Sequence, residues 1–351
     1  MKKYYTRACN FYYGSISRSL IKKKLALPLC GDKDISFDKI EIFSRKKKKI
    51  SSKVLDIRHV NSQNIQLKKK IKFDLKKITS KRKNLYQPTI MGILNLTPDS
   101  FSDGGRFNQT SKAFKQIELM IKSGAEIIDV GGESTRPGSK TVNSTQEWRR
   151  IKSVILKYKK RYPKTMLSID TRKSEIMFKA IKNQADIIND VSSFQFDPKS
   201  LSLINKYNIW KVIHHMQGTP QNMQDNPKYQ NVLLDIYDFF EETINNRLNK
   251  KKYIKKIIID PGIGFGKNLK HNLMLMSKIS LFHSLGFPIL IGTSRKRFIG
   301  EISGKFDTKE RMGGTLSSIM FSLSQGVQIF RVHNVEETKQ GILVFRKLLN
   351  Q

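Results

Sequence analysis

The chain has 351 residues and a formal net charge of +37, from 66 Lys and Arg against 29 Asp and Glu, which is room for one large domain and an extension. Its two cysteines, Cys9 and Cys30, form no CxxC pair, so a disulfide framework is excluded and a reducing compartment is the default. No run of 18 apolar residues occurs, which leaves no candidate membrane-spanning helix.

Residues 1–85 hold 25 Lys and Arg against 6 Asp and Glu, or +19, and the rest hold 41 against 23, or +18. Dense basic runs at 45–49 and 68–72 would suit a polyanion, so nucleic-acid binding stays open for this extension. Elsewhere the lysines are scattered, as on solvated faces. The first 24 residues lack acids and contain Arg and Ser, a pattern shared with organellar transit peptides. Against a mitochondrial address, residues 37–43 are patterned like a strand and there is no secretory apolar core, which favours a cytoplasmic protein. The lysine-rich stretch 68–83 reads as a linker. The chain is therefore expected to divide into a basic extension of unknown role, 1–85, and one large domain, 86–351.

Beyond residue 86, short apolar runs alternate with amphipathic stretches. The runs are 89–96, 126–131, 166–170, 186–191, 210–216, 256–260, 288–293 and 327–333; helical stretches follow at 112–122, 145–162, 173–183, 232–249, 272–285, 308–325 and 336–349. Near-continuous Ile, Val and Leu mark strands buried on both faces, as in a parallel sheet. Eight such units in about 260 residues predict an α/β fold, the (β/α)8 TIM barrel. A doubly wound sheet is disfavoured because no GxGxxG follows the first strand.

In a barrel the chemistry sits where strands end. Asn95, Asp129, Asp170, Asn189, His215, Asp260, Lys296, Arg331 and His333 all fall there. Any one of them has a structural alternative: Asp170 or Asp260 as a helix cap, Asn95 as a turn residue before Pro98, His333 as a core histidine. The set does not. No Ser-His-Asp or Cys-His constellation is visible, so no covalent nucleophile is expected.

The segments MGILNLTPDSFSDGGRF (91–107) and GAEIIDVGGESTRPGS (124–139) resemble the two signature motifs of dihydropteroate synthases. Ser168-Ile169-Asp170-Thr171, Ile188-Asn189-Asp190-Val191, His215-Met216-Gln217-Gly218-Thr219-Pro220, DPGIGFGK (260–267), Ser294-Arg295-Lys296 and Arg331-Val332-His333 follow in the family's order. The resemblance implies condensation of a dihydropterin diphosphate with p-aminobenzoate, releasing diphosphate. It implies that Asp170, Asn189 and Asp260 bind the pterin, with Lys296 at its ring carbonyl. Carboxylates accept from ring N–H groups and an amide both donates and accepts. Diphosphate would be held by Thr135, Arg136, Arg331 and His333, and Asn95 would hold Mg²⁺, which binds few protein ligands. Phe101, Thr135, Pro137 and Phe265 would line the p-aminobenzoate pocket, with loops 97–107 and 133–139 as lids. Family members are commonly homodimers.

Three positions depart from the family pattern. His214 stands where methionine commonly packs on the pterin pocket, Arg297 where some members carry serine, and Asn334 where Asp is common. A pterin-binding methyltransferase domain is the alternative of like fold, but it has no use for a diphosphate clamp. Nucleic-acid binding by the barrel would need aromatic and basic residues interleaved on one face, and none is identified.

Overall fold

The computed structural model describes residues 2–81, 85, 88–97, 106–134, 138–248 and 256–350, the side chains of 106–109 excepted. Residues 3–79 fold as a sheet with helices. β1 (Lys3–Tyr13), β2 (Leu27–Leu29), β3 (Asp32–Lys46) and β4 (Lys49–Asp56) form it, with β3 pairing antiparallel to the other three. α1 (Gly14–Lys22) links β1 to β2, and α2 (Ile65–Thr79) follows β4. Period-two alternation gives the sheet two working faces. Ala8, Ile40 and Ile42 join Leu67, Ile71 and Ile78 of α2 in one core cluster, while Tyr5 and Phe43 belong to the main core of the barrel. The stretch read as a linker is therefore mostly α2. Its apolar residues recur at helical spacing, and Asn64 caps it by accepting from Leu67 N at 3.0 Å.

The barrel strands are β5 (Thr89–Asn95), β6 (Ile127–Gly131), β7 (Met166–Asp170), β8 (Ile187–Asp190), β9 (Trp210–His214), β10 (Ile257–Asp260), β11 (Leu290–Ile291) and β12 (Ile329–Val332). They are parallel, in the order β10-β9-β8-β7-β6-β5-β12-β11, and a parallel bridge from Ile259 to Ile289 closes the ring. The helices are α3 (Arg106–Lys122), α4 (Ser144–Arg161), α5 (Ser174–Lys182), α6 (Pro198–Ile204), α7 (Val232–Glu242), α8 (Leu269–Ser277), α9 (Arg297–Ser303), α10 (Met312–Ser324) and α11 (Val335–Leu349). This is the (β/α)8 barrel expected from the alternation. The expected helix 272–285 is instead α8 and a separate 3-10 segment, Ile279–Leu285, ended by Gly286 at φ 94°. Among the described residues no helix is long and apolar enough to cross a membrane.

The sheet of β1–β4 docks on α7 and the 3-10 segment. Tyr5 is fully buried, its ring edge-on to Tyr237 at 5.2 Å and its hydroxyl donating to Asp238 at 2.9 Å. Glu41 accepts from Arg7 and Lys278, and Ser280 Oγ donates to Ala8 O. Cys30 Sγ lies 3.3 Å from His283 Nδ1 at the same junction.

Candidate active site

Strand pleating builds the site. Ile127, Ile187, Val212, Ile258 and Ile329 belong to one buried cluster on the barrel strands, and two positions further along each strand stand Asp129, Asn189, His214, Asp260 and Arg331. Residues two apart share a face, so an apolar layer carries a polar layer above it at the C-terminal mouth. Arg331 crosses that mouth. Its Nε donates to Asp129 at 2.7 Å and its Nη2 to Asp170 at 2.8 Å. Asn189 Nδ2 donates to the same Asp129 oxygen at 3.1 Å. Four strands are thereby tied by one charged network. Burial, opposed by Arg331 and reinforced by Asp129, raises the pKa of Asp170, while the two carboxylates hold Arg331 firmly protonated.

Asp260 ends β10. Its Oδ1 accepts from Gly262 N at 2.8 Å, and burial pushes its pKa up to about 6 against the pull of that bond and of Lys296. Gly262 cannot be replaced without a shift of backbone: at φ +68°, a Cβ would lie 2.0 Å from His215 O. Lys267, buried, anchors the glycine loop by donating to Phe265 O at 2.8 Å and His215 O at 3.2 Å, with His215 Nδ1 at 3.1 Å. Lys296 crosses the same loop, its Nζ 3.9 Å from the centroid of the Phe265 ring. Burial, then Arg331, bring its pKa down to about 8. His333 Nδ1 lies 3.0 Å from Ser294 Oγ, joining the last strand to the Ser294-Arg295-Lys296 turn.

Asp170, Asn189, Asp260, Lys296, Phe265 and Arg331 thus gather at one mouth, with His333 just past the end of the strand that carries Arg331. Phe101, Thr135, Arg136 and Pro137 lie outside the described residues. The base of their second loop is described: Glu133 accepts from Arg172 and Lys173, and Lys173 also donates to Glu147 at 2.5 Å. Asn95 ends β5 half-buried, its Oδ1 3.7 Å from where a Cβ on Gly131 would stand. Among the described residues no group of three His, Cys, Asp or Glu could hold a metal ion. One amide oxygen at an open rim fits an ion that draws most of its ligands from phosphates and water.

The departures from pattern resolve differently. His214 is buried, with Nδ1 3.2 Å from Val191 O, Nε2 4.0 Å from Asp260 Oδ2 and its ring edge-on to Phe265 at 4.6 Å. Burial and the cations Lys267, Lys296 and Arg331 keep its pKa well below the usual imidazole value. Arg297 points to solvent and pairs with Glu301. Asn334 Oδ1 accepts from both Arg295 Nε and Nη2. Sequence reasoning put Asp129 at a strand end without a role, and it quoted Lys267 and Ser294 within motifs without assigning either a role. For Asp129 the signal was available: it lies two residues after buried Ile127.

The family model described as pterin binding enzyme matches residues 91–333. The dihydropteroate synthase of Escherichia coli (strain K12) is 40% identical over 267 residues, 76% of this chain and 94% of that protein. The chain belongs to the dihydropteroate synthase family. Among solved structures of that family, the Yersinia pestis enzyme with a sulfonamide drug complex superposes with a TM-score of 0.71 at 37% identity, covering 76% of this chain and 96% of that one. The Xanthomonas albilineans dihydropteroate synthase in complex with 7,8-dihydropteroate gives 0.66 at 31% identity, covering 76% and 95%. The unit 3–79 lies outside the residues matched by the family model.

Proposed function

We propose the following division of labour for a transferase of folate biosynthesis that condenses 6-hydroxymethyl-7,8-dihydropterin diphosphate with p-aminobenzoate, giving 7,8-dihydropteroate and diphosphate. Asp170, Asn189 and Asp260 receive the aminopyrimidinone edge, and Lys296 meets the ring carbonyl. Charge-assisted hydrogen bonds contribute about 1.5–3 kcal/mol each, so two or three of them fix the ring. Arg331 and His333, with Thr135 and Arg136, take the diphosphate. Phe265, with Phe101, Thr135 and Pro137, takes the p-aminobenzoate ring. The observation carrying this reading is the single mouth at which Arg331 meets Asp129 and Asp170.

The C–O bond to diphosphate breaks, the pterin methylene becomes electron-poor, and the aniline nitrogen bonds to it and loses a proton. No protein nucleophile takes part. Arg331 and His333 stabilise the charge on the departing group, and the loops hold the amine in place of water. Asn95 would hold Mg²⁺, which when bound supplies further neutralisation of that charge.

We also propose that the chain divides near residue 85, with catalysis in 86–351, and that it is cytoplasmic; neither Cys9 nor Cys30 is in a disulfide. A homodimer is proposed as well, supported by exposed Phe321, Leu343 and Leu348 on α10 and α11; a monomer mass by sedimentation would refute it. The central test is incubation with dihydropterin diphosphate, p-aminobenzoate and Mg²⁺. Dihydropteroate should form, and its absence with folded protein would overturn the reading.

A further inference from the structure

The unit formed by β1–β4, α1 and α2 reaches the loops of the mouth through one carboxylate. Arg45, near the end of β3, donates from Nη1 to Asp238 at 2.9 Å and from Nη2 to Asp235, both on α7. The second oxygen of Asp235 accepts from the backbone N–H groups of Gln230 at 2.9 Å and Asn231 at 3.1 Å. Those two residues end the segment that joins β9 to α7, and that segment holds both neighbouring loops. Gln224 Nε2 donates to Gly264 O and Tyr229 Oη to Gly266 O, each at 2.8 Å, gripping the glycine loop. Pro220 O accepts from Gly138 N at 3.0 Å, and Gln221 Nε2 donates to Thr141 Oγ1 at 2.9 Å, gripping the loop after β6.

We infer that the N-terminal unit positions the loops of the active site, with Arg45 as the positioning residue acting through Asp235 on segment 217–231. The inference rests on the proposed placement of p-aminobenzoate between those loops. Of the pterin residues, Asp170, Asn189 and Asp260 stand on strand ends, and only Lys296, beside Phe265, lies against a loop that the segment grips. Loosening the segment therefore weakens the second substrate more than the first.

The test uses the full chain with both substrates varied. Arg45→Met removes the fork and keeps the stem; Asp235→Asn keeps an acceptor for the two backbone N–H groups and loses the charge; Arg45→Lys restores a cation. Lys3→Met is the control, because Lys3 donates to Asp238 and Glu241 on the same helix. The KM for p-aminobenzoate should rise about three- to tenfold in Arg45→Met and Asp235→Asn, with the KM for the pterin diphosphate little changed and recovery in Arg45→Lys. Lys3→Met should lower the melting temperature without moving either KM. Amide exchange should quicken at 217–231 and 262–266 in Arg45→Met, a readout that survives if the assigned reaction is wrong. A lower melting temperature with both KM values and the exchange unchanged would make the unit a mere buttress and overturn the inference. Equal KM changes in Lys3→Met would do the same.

Discussion

Replacing Asp129 by Asn tests the central network most directly. Asp129 is fully buried, and one of its oxygens accepts from both Arg331 Nε and Asn189 Nδ2. Asparagine keeps the shape and removes the charge that holds the guanidinium. Breaking a buried ion pair outright costs about 3–5 kcal/mol. Arg331 keeps Asp170, however, so the loss should be nearer that of one charge-assisted hydrogen bond, about 2–3 kcal/mol. At a few degrees per kcal/mol in chains of this size, the melting temperature should fall by roughly 5 °C. The Asn189 amide loses its fixed acceptor as well, and calorimetric titration with the pterin alcohol should show about tenfold weaker binding, or 1.4 kcal/mol. Binding of the diphosphate should weaken at least as much, because Arg331 is then drawn to Asp170 alone. A reduced melting temperature with unchanged affinity for the alcohol would refute the argument, since Asp129 would then support the barrel without orienting the site.

Other expectations concern protons, loops and docking. Accepting from pterin N–H groups needs ionised Asp260, whose pKa is raised to about 6, so binding should strengthen as pH rises through about 6. Lys296 is a cation only below about 8, so kcat/KM for the pterin substrate should be bell-shaped between those values, and a profile flat from 5 to 9 would count against both roles. The sign for stability is opposite: native Asp260 holds its proton more tightly than the unfolded chain, so its contribution falls as pH rises from about 4 to about 6, measurable by urea unfolding in Asp260→Asn against the parent. Lys267→Met should strand the carbonyls of His215 and Phe265, at about 1–3 kcal/mol for each group left unsatisfied. It should raise the KM for p-aminobenzoate, and steady-state kinetics showing no change would remove Lys267 from the account. Tyr5→Ala should cost about 3–5 kcal/mol by opening a cavity against Tyr237, and denaturant unfolding giving less than about 1 kcal/mol would mean the docked sheet is loosely held.

The barrel was legible because most of its strands are short runs rich in Ile, Val and Leu with a polar residue at or near the C-terminal end, a signal carried within single segments. The mouth was legible as a set for the same reason. What the sequence hid was pairing at a distance. Arg331 and Asp129 are 202 positions apart, and only the strand order brings β12 within reach of β6 and β7. Roles assigned separately to diphosphate and pterin residues therefore meet in one network. In the extension, α2 was masked by its lysines: Leu67, Ile71 and Ile78 have helical spacing, but the charge between them reads as solvated chain. β1 looks like a leader in isolation, and becomes a strand only through its register with residues 35–45 of β3.

That central strand carries a vulnerability of its own. Because side chains alternate along β3, Glu41, Phe43 and Arg45 meet the barrel while Ile40 and Ile42 meet α2. Inserting one residue near position 39 would exchange the two sets, turning isoleucines toward Asp235 and Asp238 and an arginine into the oily seam under α2. β3 thus shares with the barrel strands the lack of a forgiving side, although it lies in an antiparallel sheet, so frame within it is guarded from above and below.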